Sequence, residues 1–464
     1  MTDLRLVLFD FGGTLDGPGS PWVDRFAAAY REAGLEVPAD ALRRAAAVAT
    51  RSTYRTPAVA GYDLRETVAF QVACQFAHLG IVDSAAAETI VATFVRDATA
   101  ALEASRCLLE RLRRRFRLGV VSNFYGNLDR ILSSAGISPL LSSLVDSTVA
   151  GMSKPDPRIF ALATAQAGVA AAETLFVGDS LQQDIVPARA AGLHTAWLVG
   201  PHGDVAPHDP EDPADVRLGA LDDVERLLCM KVGIIAAGHG ERLRVGGIRE
   251  PKPLVRVAGS ALIDHTLHAI RTAGLRQVTC IVNEESAAVE AHCRAMATRA
   301  ALTFVRRTTP SSMESLFALE PHLGDGRFLL LTVDAIIAPA AVRAFVMAAI
   351  QRDDADAVLA VNSFIDDEKP LHVGCSADGR ITSLGESAAA SPFVTAGFYL
   401  LHPRVFAEVE AARAARLMAL RGFFAHLLKR GYRMYAEHVP KCIDVDRPGD
   451  LSTAEAFVSG GYRA

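Results

Sequence analysis

The sequence predicts an α/β protein made of two doubly wound, three-layer units. Short apolar runs repeatedly end at Asp, Ser or Gly and are followed by Ala-, Leu- and Arg-rich stretches with helical spacing. That alternation is typical of parallel sheets covered by helices. The runs form two sets separated by a proline-rich acidic segment. The length of 464 residues accommodates about three domains at roughly 150 residues each.

Four strands are expected in the first unit, at 6–9, 118–121, 174–177 and 195–198. Residues 21–102 are Ala-rich with helical spacing and interrupt the alternation directly after the first strand. They predict a helical cap inserted into the first unit.

Residues 200–216 contain four prolines and five carboxylates, a composition that predicts a surface linker. A helix over 221–228 would close the first domain. We therefore expect domains at 1–229 and 230–464. The second unit should contain strands at 231–235, 278–282, 327–332 and 358–361.

The composition excludes several classes of protein. Half of the residues are hydrophobic, 22% are charged and the net charge is −5, which excludes a mainly disordered chain and gives no broad attraction to nucleic acid or anionic lipid. Seven cysteines without a CxxC pair indicate free thiols. The start shows no secretory signal, and Asp334 and Pro339 interrupt the longest apolar stretch. We expect a cytoplasmic protein that binds neither membrane nor nucleic acid.

Four segments of the first unit carry polar groups at or beyond strand ends. They contribute Asp10 with Thr14, then Ser122 with Asn123, then Lys154, and finally Asp179 with Asp184. Ligands of open α/β sheets collect at this edge. A carboxylate nucleophile, a hydroxyl, a lysine and two acids are the groups that Mg²⁺-dependent phosphoryl transfer through an aspartyl phosphate requires.

In this order the four segments resemble the haloacid dehalogenase-like (HAD) superfamily with a helical cap, over residues 4 to about 228. The resemblance implies a Rossmann-like phosphatase domain. It assigns nucleophile and metal ligand to Asp10, a catalytic role to Lys154, phosphate binding to Thr14, Ser122 and Asn123, and Mg²⁺ binding to Asp179 and Asp184.

Position 12 departs from the family pattern. Family phosphatases carry a general acid/base Asp two residues after the nucleophile, whereas this chain has Gly12. Losing such a group lowers the rate by about 10²–10⁴-fold. Asp16 is the nearest carboxylate but lies at the wrong offset. The alternative is therefore a monofunctional transferase whose HAD-like domain is weak or vestigial and serves as a scaffold or sensor.

The second unit opens with a strand and a glycine turn that contains Gly238, Gly240 and Arg242, followed by Lys252 within Pro-Lys-Pro-Leu. The glycines let backbone N–H groups approach a polyphosphate, and the cations add charge. The glycine turn alone is equally compatible with an ordinary strand-to-helix connection.

Together these motifs resemble nucleotidyltransferases acting on sugar and alcohol phosphates, in a GT-A-like fold over about 231–455. The resemblance implies catalysis by Arg242 and Lys252 and phosphate binding by Gly238 and Gly240. It further implies Mg²⁺ binding by Asp334 and Asp444, with Asp446 as a close alternative, and acceptor binding by Ser312, Thr395 and Gly397.

The function expected is bifunctional. One unit would transfer a nucleotidyl group from an NTP, with CTP or UTP favoured, to a sugar, cyclitol or small-alcohol phosphate. The other would act as a phosphatase on a related phosphoester, and both would use Mg²⁺. A homodimer stays open. A non-catalytic nucleotide-binding regulator is the alternative from a different class.

Overall fold

The computed structural model describes residues 4–200, 213–284, 287–295, 301–364 and 370–462. They divide into two compact units, with the division between Val224 and Glu225. Most of the predicted linker at 200–216, and a charged run at 366–369 that we interpret as a loop, lie outside the described residues. The domain boundary near residue 229 stays a prediction.

The first unit combines a sheet with a largely helical insertion. Its strands are β1 (Leu6–Phe9), β2 (Arg117–Ser122), β3 (Ser143–Asp146), β4 (Thr174–Gly178), β5 (His194–Leu198) and β6 (Val216–Leu218). Its helices are α1 (Trp22–Glu32), α2 (Ala39–Arg55), α3 (Leu64–Leu79), α4 (Ser84–Leu112), α5 (Leu128–Ser134), α6 (Ser147–Ala150), α7 (Arg158–Ala167) and α8 (Val186–Ala190). Helix α9 (Asp223–Cys229) spans the division between the units.

The first sheet is parallel throughout and has the order β3-β2-β1-β4-β5-β6. Phe9 is in register with Val120 on one side and Val177 on the other. Because parallel strands end at the same edge, the residues that follow β1, β2 and β4 meet there. The four strands expected in this unit are confirmed.

The insertion is helical, as predicted, but its last helix is longer than expected. Asp63 begins α3 with a capping box, and Gly80 ends it in the left-handed conformation. Helix α4 continues to Leu112, beyond the predicted limit at 102, since residues 84–112 contain neither Gly nor Pro. Phe26 and Phe94 stack with their ring centroids 4.6 Å apart in the core of the insertion.

Among the described residues, the second unit contains more strands than the first. They are β7 (Lys231–Ala236), β8 (Arg256–Val257), β9 (Ser260–Ala261), β10 (Gln277–Val282), β11 (Ala301–Arg306), β12 (Phe328–Thr332), β13 (Ala335–Ile337), β14 (Ala357–Asn362), β15 (Val373–Cys375), β16 (Ile381–Leu384), β17 (Val394–Leu401), β18 (Met434–His438) and β19 (Cys442–Asp444). Its helices are α10 (Glu241–Val245), α11 (Leu262–Thr272), α12 (Ala287–Ala295), α13 (Ser312–Leu323), α14 (Pro339–Ile350), α15 (Val409–Ala414), α16 (Leu420–Lys429) and α17 (Pro448–Ser459).

The second main sheet has the order β11-β10-β7-β12-β17-β14-β18 and is mixed, which corrects the expectation of a purely parallel sheet. Strand β17 runs antiparallel to both β12 and β14. The preceding segment is the β15–β16 hairpin and not a crossover helix, so the chain re-enters the sheet from the opposite end. This reversal brings the start of β17 to the edge where β12 ends.

Two expectations from the sequence concern the cysteines and membrane-spanning helices. None of the seven cysteines, all of which lie within the described residues, forms a disulfide. No helix in the described part of the chain is both long enough and apolar enough to cross a membrane.

Candidate functional sites

The first candidate site lies at the carboxyl edge of the first sheet and centres on a buried lysine. Lys154 Nζ donates to Asp10 Oδ1 at 2.6 Å and also to Asp184 Oδ1. Asp10 directly follows β1, whereas Asp184 lies in a short helical turn after β4. Burial alone would lower the pKa of Lys154, but the two carboxylates outweigh it and the net pKa is raised. The ammonium therefore stays charged.

Three carboxylates of this site could hold a divalent cation. Ligand oxygens of Asp10, Asp179 and Asp184 lie within 4.8 Å of one another. Burial raises the pKa of both Asp179 and Asp184, and the negative charge of Asp10 adds to the rise. A bound cation would relieve this repulsion, and carboxylate oxygen is the ligand that Mg²⁺ prefers. The donor set therefore fits Mg²⁺, which would neutralise charge on a transferring phosphoryl group.

The remaining predicted residues of this site divide into two groups. Ser122 is buried and lines the same cavity as Asp10, and so does Asn123. The Asn123 amide accepts from Lys154 N at 2.8 Å and donates to Lys154 O at 2.9 Å, which fixes the lysine segment. Thr14 is absent from this cavity. Its hydroxyl donates to Asp179 Oδ1 at 3.4 Å and so supports a carboxylate, while phosphate binding by Thr14 stays a prediction.

Asp16 does not replace the missing acid at position 12. It is fully buried and accepts hydrogen bonds from Gly13 N and Trp22 Nε1, both at 2.7 Å. Arg25 adds an ion pair at 3.0 Å. The side chain lines a different cavity from the one that contains Asp10.

Cap side chains that were not among the predicted site residues close over the first site. The Asp10 cavity has a volume of about 510 Å³, and α1 and α3 supply Trp22, Phe26 and Gln71 to its wall. Gln71 Nε2 donates to the Tyr125 hydroxyl at 2.7 Å across the cavity. The only sequence signal for these residues was their place in the predicted cap.

The second candidate site also centres on a buried lysine. Lys252 Nζ donates to Asp334 Oδ2 at 2.7 Å and also to Asp446 Oδ1, while Arg242 lies 2.9 Å from Asp446 Oδ2. The lysine follows the turn after α10, and Asp334 follows β12. Burial would lower the pKa of Lys252, but both carboxylates outweigh it and raise the net pKa. Burial would raise the pKa of Asp334, but the charge and hydrogen bond of Lys252, together with further hydrogen bonds, lower the net pKa, so its carboxylate stays ionised.

The structure requires glycine at one position of the turn, Gly240, but not at the other, Gly238. Gly240 has φ +62°, and a Cβ there would stand 3.0 Å from Lys252 Cβ, so the backbone and the close approach both favour glycine. Gly238 is exposed, and no other side chain or backbone atom lies within 4 Å of a Cβ built on it. The protein alone does not need glycine at 238.

Two cavities meet beside Asp334 and Asp446, the carboxylates that pair with this lysine. One, of about 440 Å³, is lined by the glycine turn, Lys252 and the start of α13. The other, of about 310 Å³, is lined by the predicted acceptor residues Ser312, Thr395 and Gly397. Arg242, Ser312, Thr332, Asp334 and Asp446 line both. A group bound in one cavity would therefore face a group bound in the other.

The predicted metal ligands Asp334, Asp444 and Asp446 all line the smaller cavity, and Asp446 pairs with both Lys252 and Arg242. Asp444 lies opposite Ala335 in the β13–β19 pair and lines only the smaller cavity, whereas Asp446 lines both. Among the described residues, these two and Asp334 do not form a group of three carboxylates mutually within 4.8 Å. The arrangement fits a Mg²⁺ ion that takes its remaining ligands from phosphates, which is the usual mode for this ion.

Comparison with known proteins assigns families to both units. The family described as haloacid dehalogenase-like hydrolase matches residues 4–192. The family described as MobA-like NTP transferase domain matches residues 232–429.

Individual relatives cover different shares of the chain. Haloacid dehalogenase-like hydrolase domain-containing protein 3 of Bos taurus is 32% identical over 223 residues, which is 46% of this chain and 85% of the relative. The bifunctional IPC transferase and DIPP synthase of Rubrobacter xylanophilus is 28% identical over 238 residues, 49% of this chain, and the chain spans about half of its length, 51%. The solved inositol-1-phosphate CTP transferase from T. maritima is 19% identical, with a TM-score of 0.45 over 51% of this chain and 98% of that one.

The ordered motifs, the sheet edge that gathers them and the two family matches agree for each half. The chain belongs to the haloacid dehalogenase-like hydrolases through its first unit, and it carries a MobA-like NTP transferase domain as its second.

Proposed function

We propose that the second unit transfers a nucleotidyl group from an NTP to a small phosphoester and releases pyrophosphate. The observation that carries the proposal is the convergence of Lys252, Arg242, Asp334 and Asp446 where two cavities meet. The larger cavity, with its glycine turn, would hold the triphosphate. The smaller one would hold the acceptor.

The transfer needs no protein nucleophile. An acceptor phosphate oxygen attacks the α-phosphorus of the NTP in line, and pyrophosphate leaves with the electrons of the broken P–O bond. Lys252 and Arg242 stabilise the charge that develops on the phosphates, and the cavity walls position the two substrates. Mg²⁺, held by Asp334 with Asp444 or Asp446, would neutralise further charge.

The acceptor is proposed to be a sugar, cyclitol or small-alcohol phosphate, with CTP or UTP as the donor. The Rubrobacter xylanophilus relative, named as a bifunctional IPC transferase and DIPP synthase, supports a transferase function. The wall of the smaller cavity also carries hydroxyl and amide groups, from Ser312, Thr395 and Asn362, that suit a polyol.

We further propose that the first unit hydrolyses phosphate compounds through Asp10, with Mg²⁺ bound by Asp10, Asp179 and Asp184. Lys154 and Ser122 would hold the phosphate oxygens. Gly12 favours the second candidate, a first unit that is inactive and serves as a scaffold or sensor, because it removes the usual proton donor.

A matrix of four NTPs against phosphorylated sugars, cyclitols and small alcohols, with Mg²⁺, tests the transferase proposal. Pyrophosphate release that requires both an NTP and an acceptor is the expected result. Absence of release across the whole matrix would favour a nucleotide-binding regulator. Phosphate release measured in parallel separates the active first unit from the scaffold.

A further inference from the structure

The first site has space for a proton donor that the sequence does not supply. The backbone at Gly12 is extended, with φ −73° and ψ 109°. A Cβ there would meet Trp22 Nε1 at 3.5 Å, an ordinary van der Waals distance. Glycine is therefore required at position 12 neither by the backbone nor by crowding.

Among the described residues, the lining of the Asp10 cavity offers no replacement acid. Its carboxyl groups belong to Asp10, Asp179 and Asp184, which form the candidate metal group. It has no histidine. The Lys154 ammonium already donates to Asp10 and Asp184.

Two other side chains of the lining hold their protons firmly. The guanidinium of Arg43 does not release a proton in proteins. Burial raises the pKa of the Tyr125 phenol above its ordinary value, and its oxygen accepts from Gln71. Asp16, the nearest carboxyl in sequence, is fixed by Gly13 and Trp22 and faces another cavity.

We infer that the first unit acts on phosphate compounds whose leaving group departs as a stable anion, in preference to phosphate esters of ordinary alcohols. The class comprises aryl, enol and acyl phosphates and phosphoanhydrides. The inference rests on the proposed hydrolysis through Asp10 and specifies the class of substrate for that reaction.

The chemistry balances without a donor at position 12. An Asp10 carboxylate oxygen attacks phosphorus, and the leaving group takes both electrons of the broken P–O bond and departs as an anion. Water then attacks the phosphorus of the aspartyl phosphate. The Asp10 carboxylate leaves, and the water's two protons remain on the released dihydrogen phosphate.

The acidity of the leaving group decides which substrates tolerate this site. A phenol has a pKa of about 10, whereas water, which an alcohol resembles, has one of about 16. An alkoxide therefore depends on protonation as it departs, and a phenolate depends on it far less. The aromatic wall formed by Trp22, Phe26 and Phe124 suits an aryl group.

The test is the dependence of kcat/KM on leaving-group pKa, measured with the full-length protein and Mg²⁺. Substituted phenyl phosphates supply a graded series, and benzyl phosphate supplies an alkyl ester with the same ring. We expect kcat/KM to fall steeply as the pKa of the leaving group rises. The kcat/KM for benzyl phosphate should be at least ~10²-fold below that for phenyl phosphate. Equal turnover of phenyl and benzyl phosphate would overturn the inference and leave the proposed hydrolase function intact.

Three variants sharpen the result. Gly12→Asp should raise benzyl phosphate turnover by ~10²-fold or more and phenyl phosphate turnover by much less. Gly12→Ala adds only the Cβ, so the phenyl-to-benzyl ratio should stay at the wild-type value. Asp10→Asn should abolish all turnover, which excludes a contaminating phosphatase. Absence of wild-type turnover on every member of the series would overturn both the inference and the proposed hydrolase function.

Discussion

Two buried lysines mark the two sites, and each joins a pair of carboxylates. The pairs are Lys154 with Asp10 and Asp184, and Lys252 with Asp334 and Asp446. A buried charge is costly unless it is paired. Removing either lysine would leave two acids to repel each other, so each ammonium both organises its site and offers charge to a phosphate.

At Gly238 we predict an effect on substrate binding without one on folding. Apart from its chain neighbours, no atom of the described residues lies within 4 Å of a Cβ built at this position, but that Cβ would stand where the glycine turn is proposed to approach a triphosphate. Gly238→Ala should raise KM for the NTP by about tenfold, which is about 1.4 kcal/mol. Pyrophosphate release at varied NTP concentration measures it.

Gly326→Ala is the matched control. Gly326 is also exposed and also has no neighbouring atom within 4 Å of a built Cβ, but it lies outside both cavities. Both variants should unfold at the wild-type temperature, and only Gly238→Ala should change KM. An unchanged KM in Gly238→Ala would remove the glycine turn from the NTP site.

A pH dependence is predicted for the acids of the first site. Burial raises the pKa of Asp179 and Asp184 above the ordinary 3.8. The metal-free folded protein therefore holds more protons than the unfolded chain as pH rises above that value. Its free energy of unfolding should therefore fall as the pH rises through the range in which these two acids lose their protons in the folded protein.

Magnesium binds the deprotonated acids, so it should stabilise the protein more at about pH 8 than at about pH 5. Thermal unfolding with EDTA or with Mg²⁺ at both pH values measures the difference. In Asp179→Asn the pH-dependent part of the Mg²⁺ effect should shrink. Equal Mg²⁺ shifts at both pH values in the wild type would contradict the assignment.

At the scale of elements, the reversed strand β17 shapes the acceptor side of the second site. Gly397 has φ +81°, and a Cβ there would lie 2.9 Å from Ala335 Cβ and 3.1 Å from Thr332 Oγ1. Gly397→Ala should destabilise the protein by about 1–3 kcal/mol and should lower transferase activity. Denaturant unfolding and pyrophosphate release measure the two effects.

Gly422→Ala serves as the comparison, because Gly422 lies in α16 and a Cβ there makes only ordinary contacts with Leu417. It should stabilise the protein by about 0.5–1 kcal/mol. If Gly397→Ala proved as stable as Gly422→Ala, the close packing of β17 on β12 and β13 would be refuted.

The elements that sequence predicts best are those with strong local signals. The apolar runs that end at Asp10 and Asp334 gave the central strands, since burial on both faces leaves a continuous apolar run. The antiparallel direction of β17 was not predicted, because strand direction depends on the preceding connection and not on the strand's own residues. The end of α4 was missed since no helix breaker marks position 102.

At the scale of the whole molecule, each unit carries its own chemistry. The motifs of both sites are local and could be assigned by resemblance. The contact of Lys252 with Asp446 spans 194 residues, and the cap side chains reach Asp10 only through the fold. The spacing of these residues in the sequence does not show that they lie close together in the fold.

If two independent sites reside in one chain, variants of one site should leave the activity of the other unchanged. Pyrophosphate release with NTP and acceptor, and phosphate release from phenyl phosphate, are measured for Lys252→Gln and Asp10→Asn. Lys252→Gln should lose about 10²–10³-fold in pyrophosphate release only, and Asp10→Asn should lose phosphate release only. Wild-type pyrophosphate release in a folded Lys252→Gln protein would contradict the assignment of Lys252 to the transferase site.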